Sequence, residues 1–191
     1  MSTGFCASIT LSKIMAIKDI LKMGHPALRE IAQSVPPKNI QSKAIQDIII
    51  DMIDTLEETG GIGLAAPQIG ESLRIVIIKI PEGSSSYGEV KGVPLSIFIN
   101  PEFAKIGQEE DVHWEGCLSV PGLRGLVSRP QHLKLNYLNA NQEQKEIEIK
   151  GFLATVLQHE CDHLDGILYI DRLVDSKHLS FESEFAEFIA S

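Results

Sequence analysis

Within residues 42–59, apolar side chains fall at Ile45, Ile48, Ile49, Met52, Ile53 and Leu56. That three-and-four spacing gives a helix one apolar face, and Gly60-Gly61 ends it. Residues 73–80 are a short β-branched run between Ser72 and Pro81, which predicts a buried strand. Residues 82–94 gather glycine, proline and serine and predict a surface loop, and 95–100 predict another strand, stopped by Pro101. Further on, apolar Leu133, Leu135 and Tyr137 alternate with Lys134 and Asn136, and Ile147 and Ile149 alternate with Glu146 and Glu148. With the polar stretch 139–144 between them, these segments predict an antiparallel hairpin with one wet face. Gly151 then opens a helix through Leu164, closed near Gly166, and a last amphipathic helix is predicted over residues 176–189. Helices interspersed with antiparallel strand pairs place the chain in the α+β class.

Composition narrows the function. The 191 residues are 43% hydrophobic and 23% charged, an ordinary balance for a folded chain able to bury a core without disulfide staples. Cys6, Cys117 and Cys161 form an odd, sparse set, which suits a reducing cytosol and a metal site better than a secreted disulfide framework. The net charge of −9 argues against a nucleic-acid binder, whose affinity depends on cationic side chains. No apolar run approaches the ~18 residues needed to span a bilayer. No repeat or linker interrupts the chain, so residues 15–191 read as a single domain and residues 1–14 as a loose N-terminal extension. Met15-Ala16-Ile17 resembles an alternative start, and a transit segment has little support because no arginine precedes Arg29.

The chemistry is concentrated in Gln158-His159-Glu160-Cys161-Asp162-His163. On a helix, a separation of four brings His159 and His163 to one face, close enough to share a metal ion. This is the H-E-x-x-H arrangement of metal-dependent hydrolases. A catalytic ion of this kind takes three protein ligands and keeps one position open for water. Cys117, a thiol in the turn-like string Glu115-Gly116-Cys117-Leu118-Ser119, is the best candidate for the third. One thiolate and two imidazoles leave a divalent ion with enough Lewis acidity to bring the pKa of bound water toward about 7. Glu160 is placed to take the proton from that water and return it to a leaving nitrogen. The string Gly61-Ile62-Gly63-Leu64-Ala65-Ala66-Pro67-Gln68-Ile69-Gly70 adds close backbone approach and, in Gln68, an amide donor suited to a developing oxyanion.

Those three strings, in this order and at this spacing, resemble the peptide deformylase family from about Ile17 to Leu173. The resemblance implies an α+β fold with antiparallel or mixed strands wrapped around a central helix that carries the two histidines. It implies a metal-dependent hydrolase of linear amides that removes formate from the N-formyl-methionine of newly made polypeptides. Cys117, His159 and His163 then correspond to the metal ligands and Glu160 to the general base and acid. Gln68, through its side-chain amide, and Leu118, through its backbone N–H, correspond to the oxyanion donors. Gly63 matches the small residue that keeps the site open. The backbone at Ile62, Glu115 and Gly116 would hold an extended peptide, and Gly61, Phe152, Val156 and His159 would line a methionine pocket. The family's usual ion is Fe2+, with Zn2+, Ni2+ or Co2+ able to replace it, and its setting is the cytoplasm.

Other residues carry plainer readings. Cys161 lies about 200° around the helix from the metal face and reads as a small core residue. Asp162 reads as a structural helix residue and Trp114 as packing. Arg124 and Arg129 each read either as a brace on Glu115 or as a solvated charge. The acidic segment 176–188 lacks the basic character of a ribosome-docking helix, so contact with the ribosome is expected to be transient at most. Phe181, Phe185 and Phe188 sit at helical spacing and are expected to pack on the body or on a partner; a monomer that acts on nascent chains and avoids membranes is the expected state. Two competing readings are a small zinc peptidase, which leaves Cys117 and Gln68 unexplained, and a silent binder of formylated N-termini, against which the full set of ligands, base and donors stands.

Overall fold

In the computed structural model, which describes residues 17–85 and 88–190, Ser42 opens the first helix by accepting the Ile45 N–H at 3.4 Å. Helix α1 spans Lys43–Thr59 and ends where Gly60 takes the left-handed conformation, φ 66°. The chain then forms β1 (Gly63–Ala65), β2 (Ile75–Ile80), β3 (Gly83–Ser85), β4 (Gly88–Val90) and β5 (Val93–Lys105). A hairpin of β6 (Glu110–Cys117) and β7 (Val120–Pro130) follows, then β8 (His132–Leu138) and β9 (Gln144–Lys150). Helix α2 (Phe152–Leu164), β10 (Leu179–Phe181) and α3 (Glu182–Phe188) complete the described chain.

The named strands pair antiparallel in a main sheet of order β1-β2-β5-β8-β9, a smaller sheet β10-β7-β6 and the ribbon β3-β4. Strand β2 explains the architecture. Its side chains alternate between faces, and both faces are apolar. Ile75 and Ile77 pack with Ile45, Ile49, Met52 and Leu56 of α1. Val76 and Ile78 pack with Ala154, Leu157, Cys161 and Leu164 of α2. The main sheet is therefore held between two helices, and each fully buried side chain of this kind contributes about 1.5–3 kcal/mol. Helix α2 lies inside, between sheet and cleft, as the α+β expectation of a central histidine-bearing helix requires.

The hairpin β8–β9, helix α1 and helix α2 follow the sequence pattern closely. Three segments depart from it. Strand β5 continues past Pro101 to Lys105, because a bulge between Ile99 and Glu102 places the proline where the ladder is already broken. The loop expected over 82–94 contains the β3–β4 ribbon. The helix expected over 176–189 is shortened to α3, because Leu179–Phe181 is drawn into pairing with the open edge of β7. Phe185 meets Trp114 with ring centroids 5.1 Å apart, whereas Phe181 and Phe188 stay 66% and 68% exposed. The extension expected over residues 1–14, with Cys6, lies outside the described residues. No helix among the described residues is long and apolar enough to cross a membrane.

Candidate metal centre

Cys117 ends β6, and a two-residue turn of Leu118 and Ser119 reverses the chain into Val120, its partner in register. This turn faces α2, where His159 and His163 lie one helical turn apart with ring centroids separated by 5.2 Å. The ligating atoms of Cys117, His159 and His163 all lie within 4.8 Å of one another. Cys117 Sγ and His163 Nε2 are 3.3 Å apart. Tetrahedral ligands at ordinary zinc–sulfur and zinc–nitrogen distances would be separated by about 3.5 Å, so the three residues fit a small divalent ion.

The protein holds these ligands from behind. His159 Nδ1 is 2.8 Å from Glu115 Oε2, which fixes the imidazole so that its other nitrogen faces the cysteine. Glu115 is 4% exposed and accepts two hydrogen bonds from Arg129, at 2.6 and 2.9 Å. The third arm of Arg129 donates to Asp162 at 2.8 Å, and Asp162 also accepts from Arg172 at 2.6 and 2.7 Å. Of the two arginines left open by the sequence, Arg129 braces Glu115, while Arg124 pairs with Glu182. Asp162 is structural, and Tyr169 stacks on His159 at 6.1 Å between centroids.

Electrostatics differ sharply within this cluster. Burial alone would raise the Glu115 carboxyl, but hydrogen bonds from Arg129 and His159 more than reverse this and hold it at about 2. Glu160 has no such partners, and burial pushes it up to about 7. Its Oε2 is buried and finds no hydrogen-bond partner among the described residues. Burial, reinforced by the neighbouring His159, depresses His163 well below the usual range, leaving a neutral imidazole. For His159 burial also favours the neutral form, but hydrogen bonds to Cys117 and Glu115 outweigh it and hold a proton there. A bound cation would take the place of that proton, since metal ligands must be neutral or anionic.

The remaining wall is set by close packing. A Cβ on Gly63 would stand 2.3 Å from Glu160 Oε1, so this position admits glycine alone unless the carboxylate moves. Gln68 is 2% exposed; its Oε1 accepts the Ala65 N–H at 2.8 Å, which aims Nε2 at Ser119 Oγ (3.2 Å) and Cys117 Sγ (3.6 Å). Ser119, to which sequence reasoning gave no role, donates its backbone N–H to Cys117 Sγ at 3.4 Å. Its place two residues after the cysteine was the available signal. Arg172 had none, since nothing local ties it to residues 115–129.

These groups border a cleft of about 520 Å³. Gly61, Ile62, Gly63, Gln68, Glu115, Gly116, Cys117, Leu118, Phe152, Val156, His159 and Glu160 all line it, and among the candidate residues only His163 sits behind the surface. Cys117, His159 and His163 would hold an ion able to polarise a carbonyl, while Glu160 is placed to accept a proton and Gln68 to donate a hydrogen bond to a developing oxyanion.

Residues 17–179 match the family model described as polypeptide deformylase. The chain is 41% identical to a peptide deformylase of Leptospira biflexa over 170 residues, covering 89% of this chain and 95% of that one. It is 45% identical over 170 residues to peptide deformylase 1 of Prochlorococcus marinus, covering 89% and 88%. The class I type b peptide deformylase of Acinetobacter baumannii bound to Met-Ala-Ser superposes with a TM-score of 0.79 at 33% identity, covering 84% of this chain and all of that one.

Proposed function

Because the chain belongs to the polypeptide deformylase family, its reaction is the hydrolysis that removes the formyl group from newly made polypeptides, and we propose that the cleft at Cys117, His159 and His163 is where this occurs. The observation that carries the assignment is the convergence of one thiol and two imidazoles beside a buried carboxyl, Glu160, whose Oε2 has no hydrogen-bond partner among the described residues. When bound, the divalent ion supplies Lewis acidity at the formyl oxygen and at the attacking water. We take it to be Fe2+, with Zn2+, Ni2+ and Co2+ as workable substitutes, since a soft sulfur with two imidazoles suits each of them.

Glu160 accepts the water proton and delivers it to the departing amine. A carboxyl raised to about 7 is matched to both halves of that transfer near neutral pH. The Gln68 amide and the Leu118 backbone N–H hydrogen-bond the oxyanion, and the Ala65 contact keeps the amide from turning its oxygen inward. Strand β1 is the last strand of the main sheet, so its outer edge is open to an extended peptide running between Ile62 and the Glu115–Gly116 backbone. Phe152 and Val156 on α2, with Gly61 and His159, form the apolar recess for the methionine side chain. The Met-Ala-Ser found on the Acinetobacter relative has the form of such a product.

The enzyme works in the cytoplasm as a monomer on formyl-methionyl nascent chains. Its terminal helix carries Glu182, Glu184 and Glu187 and would be repelled by ribosomal RNA, so any contact with the ribosome is brief. The test is formate release from formyl-Met-Ala peptides by protein purified without oxygen, with metal counted. Formate at about one metal per chain, and no cleavage of acetylated or unblocked peptides, is the expected result. A filled metal site without formate would overturn the assignment.

A further inference from the structure

The cleft wall facing α2 is completed from the far end of the chain. Strand β10 pairs Leu179 with Gly125, Ser180 with Arg124 and Phe181 with Leu123. This carries Glu182, the next residue, to the cleft rim. Its Oε1 accepts hydrogen bonds from Arg124 Nε at 3.1 Å and Nη2 at 2.5 Å. The guanidinium so held lies against Gly116, where a Cβ would come within 2.6 Å of Nη1. A neighbouring rim cation, Lys22, is committed to the Leu118 carbonyl at 2.8 Å. Lys22 keeps its charge on that neutral carbonyl, but Arg124 is the cation packed on Gly116, beside the backbone that the substrate peptide follows, and a residue 58 positions later neutralises it.

We propose that Glu182 is a specificity-determining residue: by holding Arg124 it sets the charge that the cleft presents to the side chains after the N-terminal methionine, and so allows acidic and basic sequences alike. The proposal rests on the deformylase reading. Its physical basis is the order of the walls. The methionine recess is on α2, so a peptide with its formyl group at Cys117 and its backbone along Gly116 leads its later residues past Arg124. Strand pairing at β10 fixes the backbone that carries Glu182, so the pair forms with little loss of side-chain freedom beyond the glutamate's own. The side chains are 29% and 53% exposed, so the effect on a passing charge is modest, about 2- to 5-fold in affinity.

Formate release by the holoenzyme, Glu182→Gln and Arg124→Gln is compared on formyl-Met-Ala-Xaa peptides with Xaa Glu, Gln or Lys. The wild-type protein is expected to show similar kcat/KM for all three. Glu182→Gln raises the Glu-to-Lys ratio about 3-fold, through KM, and Arg124→Gln shifts it in the opposite direction. The pair would be only a structural pin, and the proposal overturned, if a variant changed all three peptides by a common factor or if the two variants moved the ratio together or not at all. A wild-type protein that releases no formate from any formylated peptide would overturn the deformylase reading instead.

Discussion

A single hydrogen separates a working site from a crowded one at Gly63. A methyl group there would stand 2.3 Å from Glu160 Oε1, so Gly63→Ala must push the carboxyl aside by about 1 Å. Displacement on that scale is expected to lower kcat about 100-fold while metal content and thermal midpoint stay near wild type. Glu160→Gln keeps the shape and removes the proton acceptor; its kcat should fall about 100- to 10,000-fold with one metal still bound. Metal analysis beside steady-state rates checks both, and near-normal turnover of the glutamine variant would remove Glu160 from its assigned role. At this scale the sequence was most readable, because the proposed ligands, the proposed base and the packed glycine sit in three contiguous strings that the fold brings to one cleft. Ser119 and Arg172 were not readable, because each acts through a contact that exists only after distant segments meet.

Between elements, the bond that matters most is the buried ion network from His159 through Glu115, Arg129 and Asp162 to Arg172. Arg129 is 3% exposed and serves two carboxylates, one on β6 and one on α2, so it fastens the small sheet to the central helix. Arg129→Met leaves Glu115 buried without its cation and should cost about 3–5 kcal/mol. Arg172 has a side chain 43% exposed, and Asp162 keeps Arg129 when it is lost, so Arg172→Ala should cost about 1 kcal/mol or less. Urea unfolding distinguishes them, and equal losses would refute this division of labour. The hairpin that presents Glu115 and Cys117 was the least legible element. Its strands carry Gly116, Pro121, Gly122 and Gly125 and a register shift beside Cys117, which breaks the alternation that revealed β8 and β9. The end of the chain misled for another reason: residues 176–189 have helical spacing, but an open strand edge on β7 competes for them and takes Leu179–Phe181.

For the molecule as a whole, the Glu115 network predicts how acid unfolds it. A carboxyl held at about 2 against an ordinary 4.5 contributes its stability in full above pH 4.5 and loses it as the pH falls toward 2. The loss amounts to about 3 kcal/mol. Glu160, raised to about 7, acts in the reverse sense between pH 4.5 and 7, whereas Asp171, Glu110, Glu143 and the buried His163, all lowered, add to the loss in acid, so the Glu115 share is read against a Glu115→Gln variant. Denaturant midpoints measured from pH 6 to 3 should show it, and a flat profile below 4.5 would exclude it. Strand β2 has a further consequence. Out of its place between β1 and β5, Ile75-Val76-Ile77-Ile78-Lys79-Ile80 is a segment of the kind that stacks into cross-β fibrils, with one charge to discourage it. Lys79, paired with Glu57 at 2.8 Å, acts as gatekeeper, and Lys79→Val should increase light scattering on mild heating before any loss of turnover. The other guard is β1, three residues long, which covers one edge of that strand while placing Gly63 beside Glu160. Loosening β1 to admit bulkier substrates would therefore also uncover an adhesive edge, so solubility limits how far the cleft can be remodelled.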